Sequence, residues 1–239
     1  MPDSQKREPE DVKKMFSEVS KNYDKINRAM CFGLDARWRR ALAKTALRGM
    51  EGKGAKIADL ACGSGDVCVE LARLAPRAEI VGADFCPEML ELAAKKAAAA
   101  GFGGRVKFTA CDCQKTPFES GAFDAATIAF GFRNFQNRAA ALAEISRILR
   151  RGGRLAMLEV SRAGKIMEPA QRIFMERVMP NIAALFGGKK DSYVYLAKTT
   201  LEYPRPREIE AMFAAAGFGE ISTRKFGFGL VAITTGVKK

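Results

Sequence analysis

The 239-residue chain has no histidine, no run of 18 uncharged apolar residues, and no internal repeat or low-complexity linker. Without an imidazole, neither a mixed Cys/His zinc site nor a histidine general base can be written. The six cysteines, at 31, 62, 68, 86, 111 and 113, are scattered without paired CxxC spacing. They read as reduced, mostly buried thiols, and no metal is expected. The missing apolar run excludes a spanning helix, and the polar start Met1-Pro2-Asp3-Ser4-Gln5-Lys6 is no secretory signal. Both point to a cytoplasmic protein. Basic residues lack the interleaved aromatics of a single-strand stacking platform, so nucleic acid is not an expected partner.

What is present suits one α/β core with additions: 48% of residues are hydrophobic and the formal net charge is +13. Residues 1–56 carry +6, residues 57–161 carry +1, and residues 162–239 carry +6. The excess therefore lies outside the middle of the chain. It is either an ordinary basic surface or one that attracts an anionic membrane face.

The stretch Ile57 to Asp84 organises the chain. It predicts a buried strand ending in the turn Ala61-Cys62-Gly63-Ser64-Gly65, a helix from Asp66 with Val67, Leu71 and Leu74 inward, and a second strand over 79–83. Asp84 stands at that strand's tip, 19 residues after Gly65. Glycines at 63 and 65 permit positive φ and close ligand approach, and a carboxylate at the next strand tip suits the hydroxyls of a ribose. A dinucleotide fingerprint needs a third glycine where this chain has Cys68. Asp59 and Asp66 flank the turn, repelling a pyrophosphate and suiting a cationic ligand. S-adenosylmethionine is thus favoured over NAD.

The rest follows in order. Val12, Met15, Phe16, Val19, Tyr23 and Ile26 predict an amphipathic helix, and 35–47 a second, with Arg37, Arg39 and Arg40 facing water or an anion. These form a cap over residues 1–50, either structural or a substrate lid. Pro87 opens a helix ended by Gly101, and Arg105 to Ala110 is a third strand. After it comes Cys111-Asp112-Cys113, where Asp112 is either a turn residue or an acceptor for an adenine amino group. Phe123 to Ala129 is a fourth strand, closing on Phe130-Gly131-Phe132-Arg133-Asn134, where doubly wound sheets bind ligands. A helix over 138–149 turns at Arg150-Arg151-Gly152-Gly153 into a strand over 154–160, on which Glu159 either faces the site or pairs with a cation. Residues 162–204, rich in methionine and aromatics, read as a lid inserted after the core of 51–161. A helix over 206–216 and strands near 221–225 and 230–235 predict an antiparallel edge pair within residues 205–239.

Together these residues resemble the quinone-biosynthesis C-methyltransferases of the menaquinone and ubiquinone pathways, from about Val12 to Lys238. The resemblance is carried by Asn22-Tyr23-Asp24, Trp38-Arg39, Asp59 to Asp66, Asp84 with Met89-Leu90, Gly131-Phe132-Arg133-Asn134, Leu158-Glu159, Tyr193-Val194-Tyr195-Leu196 and Ala216-Gly217-Phe218. It implies a class I methyltransferase fold, a Rossmann-like seven-stranded sheet with its last strand antiparallel. It implies S-adenosyl-L-methionine contacts at Gly63, Ser64, Gly65, Asp84, Asp112 and Cys113, beside Asp59. Relatives usually carry a histidine where this chain has Thr234, so an imidazole base there is excluded. A homodimer is a further family expectation.

The implied reaction moves a methyl group onto a ring carbon of a prenylated quinol, demethylmenaquinol or the corresponding benzoquinol. Arg133 and Asn134 are expected to hold the quinol oxygen, the fixed cation lowering its pKa. Tyr193, Tyr195 and Glu159 are candidates for substrate contact or proton relay, the tyrosines equally for lid packing. Because the substrate lives in a bilayer, peripheral association with the inner face of the membrane is expected. The rival readings are another small-molecule or phospholipid methyltransferase, an RNA methyltransferase, and a cofactor-binding scaffold without catalysis.

Overall fold

The computed structural model describes residues 23–164, 166–185 and 190–239. Val12, Met15, Phe16 and Val19, the side chains of Tyr23 and Asp24, and Phe186 lie outside the described residues. Seven strands form one sheet: β1 (Lys56–Leu60), β2 (Glu79–Asp84), β3 (Val106–Ala110), β4 (Phe123–Ala129), β5 (Leu149–Val160), β6 (Phe218–Phe226) and β7 (Val231–Lys238). Their spatial order is β3-β2-β1-β4-β5-β7-β6. The first five are parallel, and β7 runs antiparallel to both β5 and β6. The order reverses at β1, so the crevice beyond the carboxyl ends of β1 and β4 is the switch point at which open α/β sheets bind ligands.

Helices cover both faces. Alternate residues divide between them: Ile57, Ile80, Ala156 and Leu158 pack with α2 (Asp35–Ala46), α3 (Asp66–Leu74) and α4 (Pro87–Ala99). Ala58, Leu60, Leu155 and Met157 pack with α5 (Arg138–Ile148) and α9 (Pro206–Ala215). Burial on both faces explains why the inner strands read as continuous apolar runs. The boundaries have local causes. Pro87 and Pro206 occupy first-turn positions, where the missing N–H costs nothing, and the Asn137 side chain accepts from Ala140 N at 2.9 Å to cap α5.

A third, smaller cluster lies above the sheet. Here α1 (Tyr23–Met30) meets α6 (Glu168–Ile173), a π-helical turn (Phe174–Val178), α7 (Met179–Leu185) and α8 (Lys190–Leu201). Ile26, Met179, Ala183, Tyr193, Leu196 and Ala197 are its buried members. Helix α1 is thus packed against the segment 174–201.

One expectation needs correction. The fifth strand begins at Leu149, not Arg154, because the Arg150–Gly153 turn is absorbed as a bulge: Phe123 pairs with Leu149 while Ala125 pairs with Arg154. Gly153 is needed there, since a Cβ would stand 2.8 Å from the Arg150 carbonyl oxygen. The late strands form the expected antiparallel pair at one edge of the sheet, with β6 outermost and β7 between it and β5.

Candidate active site at the carboxyl edge of the sheet

The turn after β1 is built from left-handed backbone: Ala61 (φ 51°), Gly63 (52°) and Gly65 (80°). At Gly65 a Cβ would stand 2.8 Å from Ala93 Cβ and 3.1 Å from Ala93 Cα, so α4 packs directly on the turn. The turn is held from below by Asp84. Its Oδ2 accepts from Gly63 N at 2.9 Å and its Oδ1 from Cys86 N at 3.0 Å. Burial raises the Asp84 pKa, opposed by the Cys86 and Gly63 N–H groups. The acceptor-bearing strand tip, beside a turn that is bare backbone at Gly63 and Gly65, fits a nucleoside with a ribose diol.

Asp59 sits deeper. Only 1% exposed, it accepts from Thr127 Oγ1 at 2.7 Å and Cys68 Sγ at 3.2 Å. Burial pushes its pKa to about 7, against the two hydrogen bonds. Asp66 is ion-paired with Lys96 and, at 3.2 Å, with Arg39, which also binds Asp35. Lys96 also donates to Ser64 Oγ at 3.0 Å. The cationic-ligand argument from Asp59 and Asp66 therefore does not hold in the folded chain, because protein groups engage both carboxylates. Of the alternatives for Arg39, water or an anion, the anion is observed and is supplied by the chain's own Asp35 and Asp66, with the guanidinium 5.9 Å from the Phe130 ring centre.

At the tip of β3 the Asp112 carboxylate is exposed and accepts from Gln114 N at 2.8 Å. That is turn geometry which leaves its outer face open. Cys113 is buried, and its sulfur accepts from Ala61 N at 3.2 Å, so it props the cofactor turn from beneath.

The β4 loop approaches the β1 turn so closely that a Cβ at Gly131 would stand 2.7 Å from Ala61 Cβ. Phe130 is left-handed (φ 58°), a further strained position of the kind that collects at functional sites. The loop then forms a single turn, Phe132–Asn134, which presents Arg133. Glu159 fixes it: Oε1 accepts from Arg133 Nη1 at 2.7 Å and from Val160 N at 2.9 Å, and Oε2 accepts from Arg133 N at 3.1 Å. Arg133 Nη1 also donates to the Phe130 carbonyl at 2.5 Å. Of the two alternatives for Glu159, pairing with a cation is the one observed. Asn134 Oδ1 is buried and accepts no hydrogen bond from any described residue.

Around this turn the structure brings in residues that the sequence did not single out. Arg138 Nη2 donates to the Arg133 carbonyl at 3.1 Å, and its guanidinium lies 5.4 Å from the ring centre of Tyr203. Tyr203, Ser161, Glu159 and Thr234 line a small cavity behind Arg133. Burial and the Glu159 carboxylate hold the Tyr203 phenol well above its usual range, so it stays protonated. Thr234, at the position where a histidine was expected from relatives, bonds Thr223 Oγ1 at 3.1 Å. Only long-range placement reveals Tyr203, whose local sequence carries no signal. Helix α8 packs against the Phe132–Asn134 turn and supplies buried Tyr193 and half-buried Tyr195.

The family model described as the ubiE/COQ5 methyltransferase family matches residues 3–238. A demethylmenaquinone methyltransferase of Thermus thermophilus is 44% identical over 93% of this chain and 99% of its own length. A Deinococcus radiodurans protein of the same name is 38% identical over 95% and 92%. A ubiquinone/menaquinone biosynthesis C-methyltransferase of Geobacter sulfurreducens is 38% identical over 96% and 89%. Among solved structures, a SAM-dependent methyltransferase of Aquifex aeolicus superposes with a TM-score of 0.59 at 14% identity, over 82% of this chain and 89% of that one. One of Thermotoga maritima gives 0.62 at 18%, over 94% and 99%. The fold is therefore the class I methyltransferase sheet, and the chain belongs to the ubiE/COQ5 methyltransferase family, with S-adenosyl-L-methionine as its methyl donor.

Proposed function

We propose that this protein methylates a ring carbon of a prenylated quinol, demethylmenaquinol or its benzoquinol counterpart, at the inner face of a membrane. The names of the relatives supply the substrate class. The observation that carries the assignment is the Arg133–Asn134 turn, locked by Glu159 and pressed against the cofactor turn through Gly131 and Ala61.

Gly63, Ser64 and Gly65 line the methionine side of the cofactor pocket, Asp84 takes the ribose hydroxyls, and Asp112 with Cys113 borders the adenine. The cofactor supplies an electrophilic methyl group on a sulfonium. Everything else falls to the chain's own groups. Asn134 Oδ1, an acceptor without a described partner, takes the hydrogen bond of the quinol hydroxyl. Arg133 places a permanent cation beside that oxygen, which stabilises the developing phenolate and makes the ring carbon more nucleophilic. Glu159, already engaged by three donors, positions Arg133, and the proton that the quinol loses as the methyl group adds passes to bulk water by way of the Tyr195 hydroxyl, which releases its own proton as it takes one. Tyr193 and Tyr195 on α8 close the acceptor side and exclude water.

Among the described residues no helix is long and apolar enough to cross a membrane, so a bilayer-dwelling substrate must be met at the surface. Incubation with labelled S-adenosylmethionine and paired demethylmenaquinol and demethoxylated benzoquinol tests the reading. Label in the extracted quinol is expected. Label in neither, with cofactor bound, refutes the quinol assignment.

A further inference from the structure

The same carboxyl edge of the sheet carries large apolar side chains that stand exposed among the described residues. Phe32 is 76% exposed, Ile166 93% and Phe228 86%. Scattered exposed apolar residues need no explanation, but these share an edge and two of them are strained. Phe32 has φ 50° and Phe228 φ 57°, left-handed conformations that disfavour a Cβ. Phe228 stands between Gly227 and Gly229, so glycine at the tip would have been the relaxed choice.

The backbone places them together. Val160 pairs with Val231, and Ser161 N donates to the Leu230 carbonyl at 2.8 Å. The Phe228 loop and the loop leading to Ile166 therefore leave the sheet side by side. The indole of Trp38 lies 3.9 Å from the Cβ position of Gly227, and Trp38 N bonds the Leu34 carbonyl, which ties the Phe32 turn to the same end. The Phe32 ring is 6.4 Å from that of Phe174, on the lid. Charge follows the tips: Arg37, Arg224 and Lys225 are exposed beside them. The nearby acids are engaged internally, Asp35 by Arg39 and Glu168 by Arg162 and Arg205.

Resting on the quinol reading above, we infer that Phe32, Ile166 and Phe228 form a rim that inserts into an anionic bilayer surface, with Arg37, Arg224 and Lys225 against the lipid phosphates. Aromatic tips enter the headgroup boundary while the basic side chains meet anionic headgroups. The edge that holds Arg133 and the cofactor turn then faces the membrane, so a prenylated ring is drawn sideways from the lipid while its tail stays there.

The test compares the wild-type chain with the double variant Phe32→Gly and Phe228→Gly by flotation with phosphatidylcholine vesicles containing phosphatidylglycerol. Glycine relieves both left-handed positions, so the variant should unfold at an equal or higher temperature, which separates lost binding from lost folding. Binding should fall roughly tenfold or more per phenylalanine. Arg37→Gln with Lys225→Gln should weaken it about fivefold per charge at low salt, with no effect on neutral vesicles. Methyl transfer to a quinol lacking the prenyl tail should be unchanged in both variants, while transfer to a vesicle-borne quinol falls with binding. Undiminished flotation of the glycine variant overturns the rim. Wild-type protein that methylates quinols yet ignores anionic vesicles overturns both the rim and the membrane location, and leaves the catalytic reading standing. A wild-type dimer that the glycine variant converts to monomer assigns the patch to a second copy and also overturns the proposal.

Discussion

Glu159 is 2% exposed and satisfies three donors: the Arg133 guanidinium, Arg133 N and Val160 N. Glu159→Ala takes the acceptor from both backbone N–H groups and leaves the guanidinium with the Phe130 carbonyl but no carboxylate. Leaving a buried cation without its partner costs about 3–5 kcal/mol, and the two backbone N–H groups, on a strand end and a tight turn, cannot all be reached by water. Arg133→Leu is the gentler loss, because the carboxylate keeps both backbone donors. It removes the guanidinium's hydrogen bonds to Glu159 and to the Phe130 carbonyl, about 1.5–3 kcal/mol net once the added apolar side chain is counted. With about 2–4 °C per kcal/mol for a chain of this size, Glu159→Ala should lower the melting temperature by roughly 6–20 °C, and Arg133→Leu by about half that. The double variant should fall well short of the sum, with a coupling above about 1.5 kcal/mol. Thermal unfolding measures all three. Calorimetry with S-adenosylmethionine should show retained binding, and the quinol assay near-complete loss of transfer, since the cofactor turn hangs on Asp84 and not on Glu159. If Arg133→Leu costs as much as Glu159→Ala, or if the two add within about 0.5 kcal/mol, the asymmetry argued from the donors is wrong.

Further outcomes follow from other contacts. Because the folded chain holds a proton on Asp59 up to about pH 7 that the unfolded chain releases near 4, its contribution should fall as pH rises through that window. Asp59→Asn should therefore gain in urea midpoint relative to wild type towards pH 8, and a pH-independent difference refutes this. Glu144, pulled down to about 2 by Arg147 and then by Thr116, stabilises the fold above the usual glutamate range and should lose that contribution as pH falls from about 4.5 towards 2. Glu144→Gln should flatten this acid limb of the melting curve. Gly65→Ala meets both a left-handed φ and Ala93 at 2.8 Å, so it should cost about 2–4 kcal/mol and weaken cofactor binding at least tenfold by calorimetry. Ala93→Gly should restore it only in part, since the backbone strain remains.

Local signals carried the alternating elements: paired glycines at 63 and 65, prolines 87 and 206 opening helices, and apolar runs for the buried strands; the Asn137 cap went unread. Contacts between distant residues were not legible in this way. Arg39 and Lys96 engage Asp66 from other helices, so its charge looked available for a ligand although it is engaged within the fold. Glu159 lies 26 positions from Arg133, and both of its readings stayed open until β5 was seen beside the β4 loop. Left-handed Ala61 and Phe130 have no composition that announces them, because the close approach of two loops imposes their conformation. Tyr203 stands behind Arg133 only because α9 folds back across the sheet.

The place of β7 bears on how the molecule assembles. A strand that comes last in chain order fills an interior slot, and Lys238 Nζ reaches the Leu149 carbonyl 89 positions earlier. Until it arrives, β5 presents an open, largely apolar ladder, and closing that gap requires a long chain loop to be paid for first. Sheet completion is then a late and slow event, and the half-formed species with β5 unpaired is the form most prone to self-association during refolding.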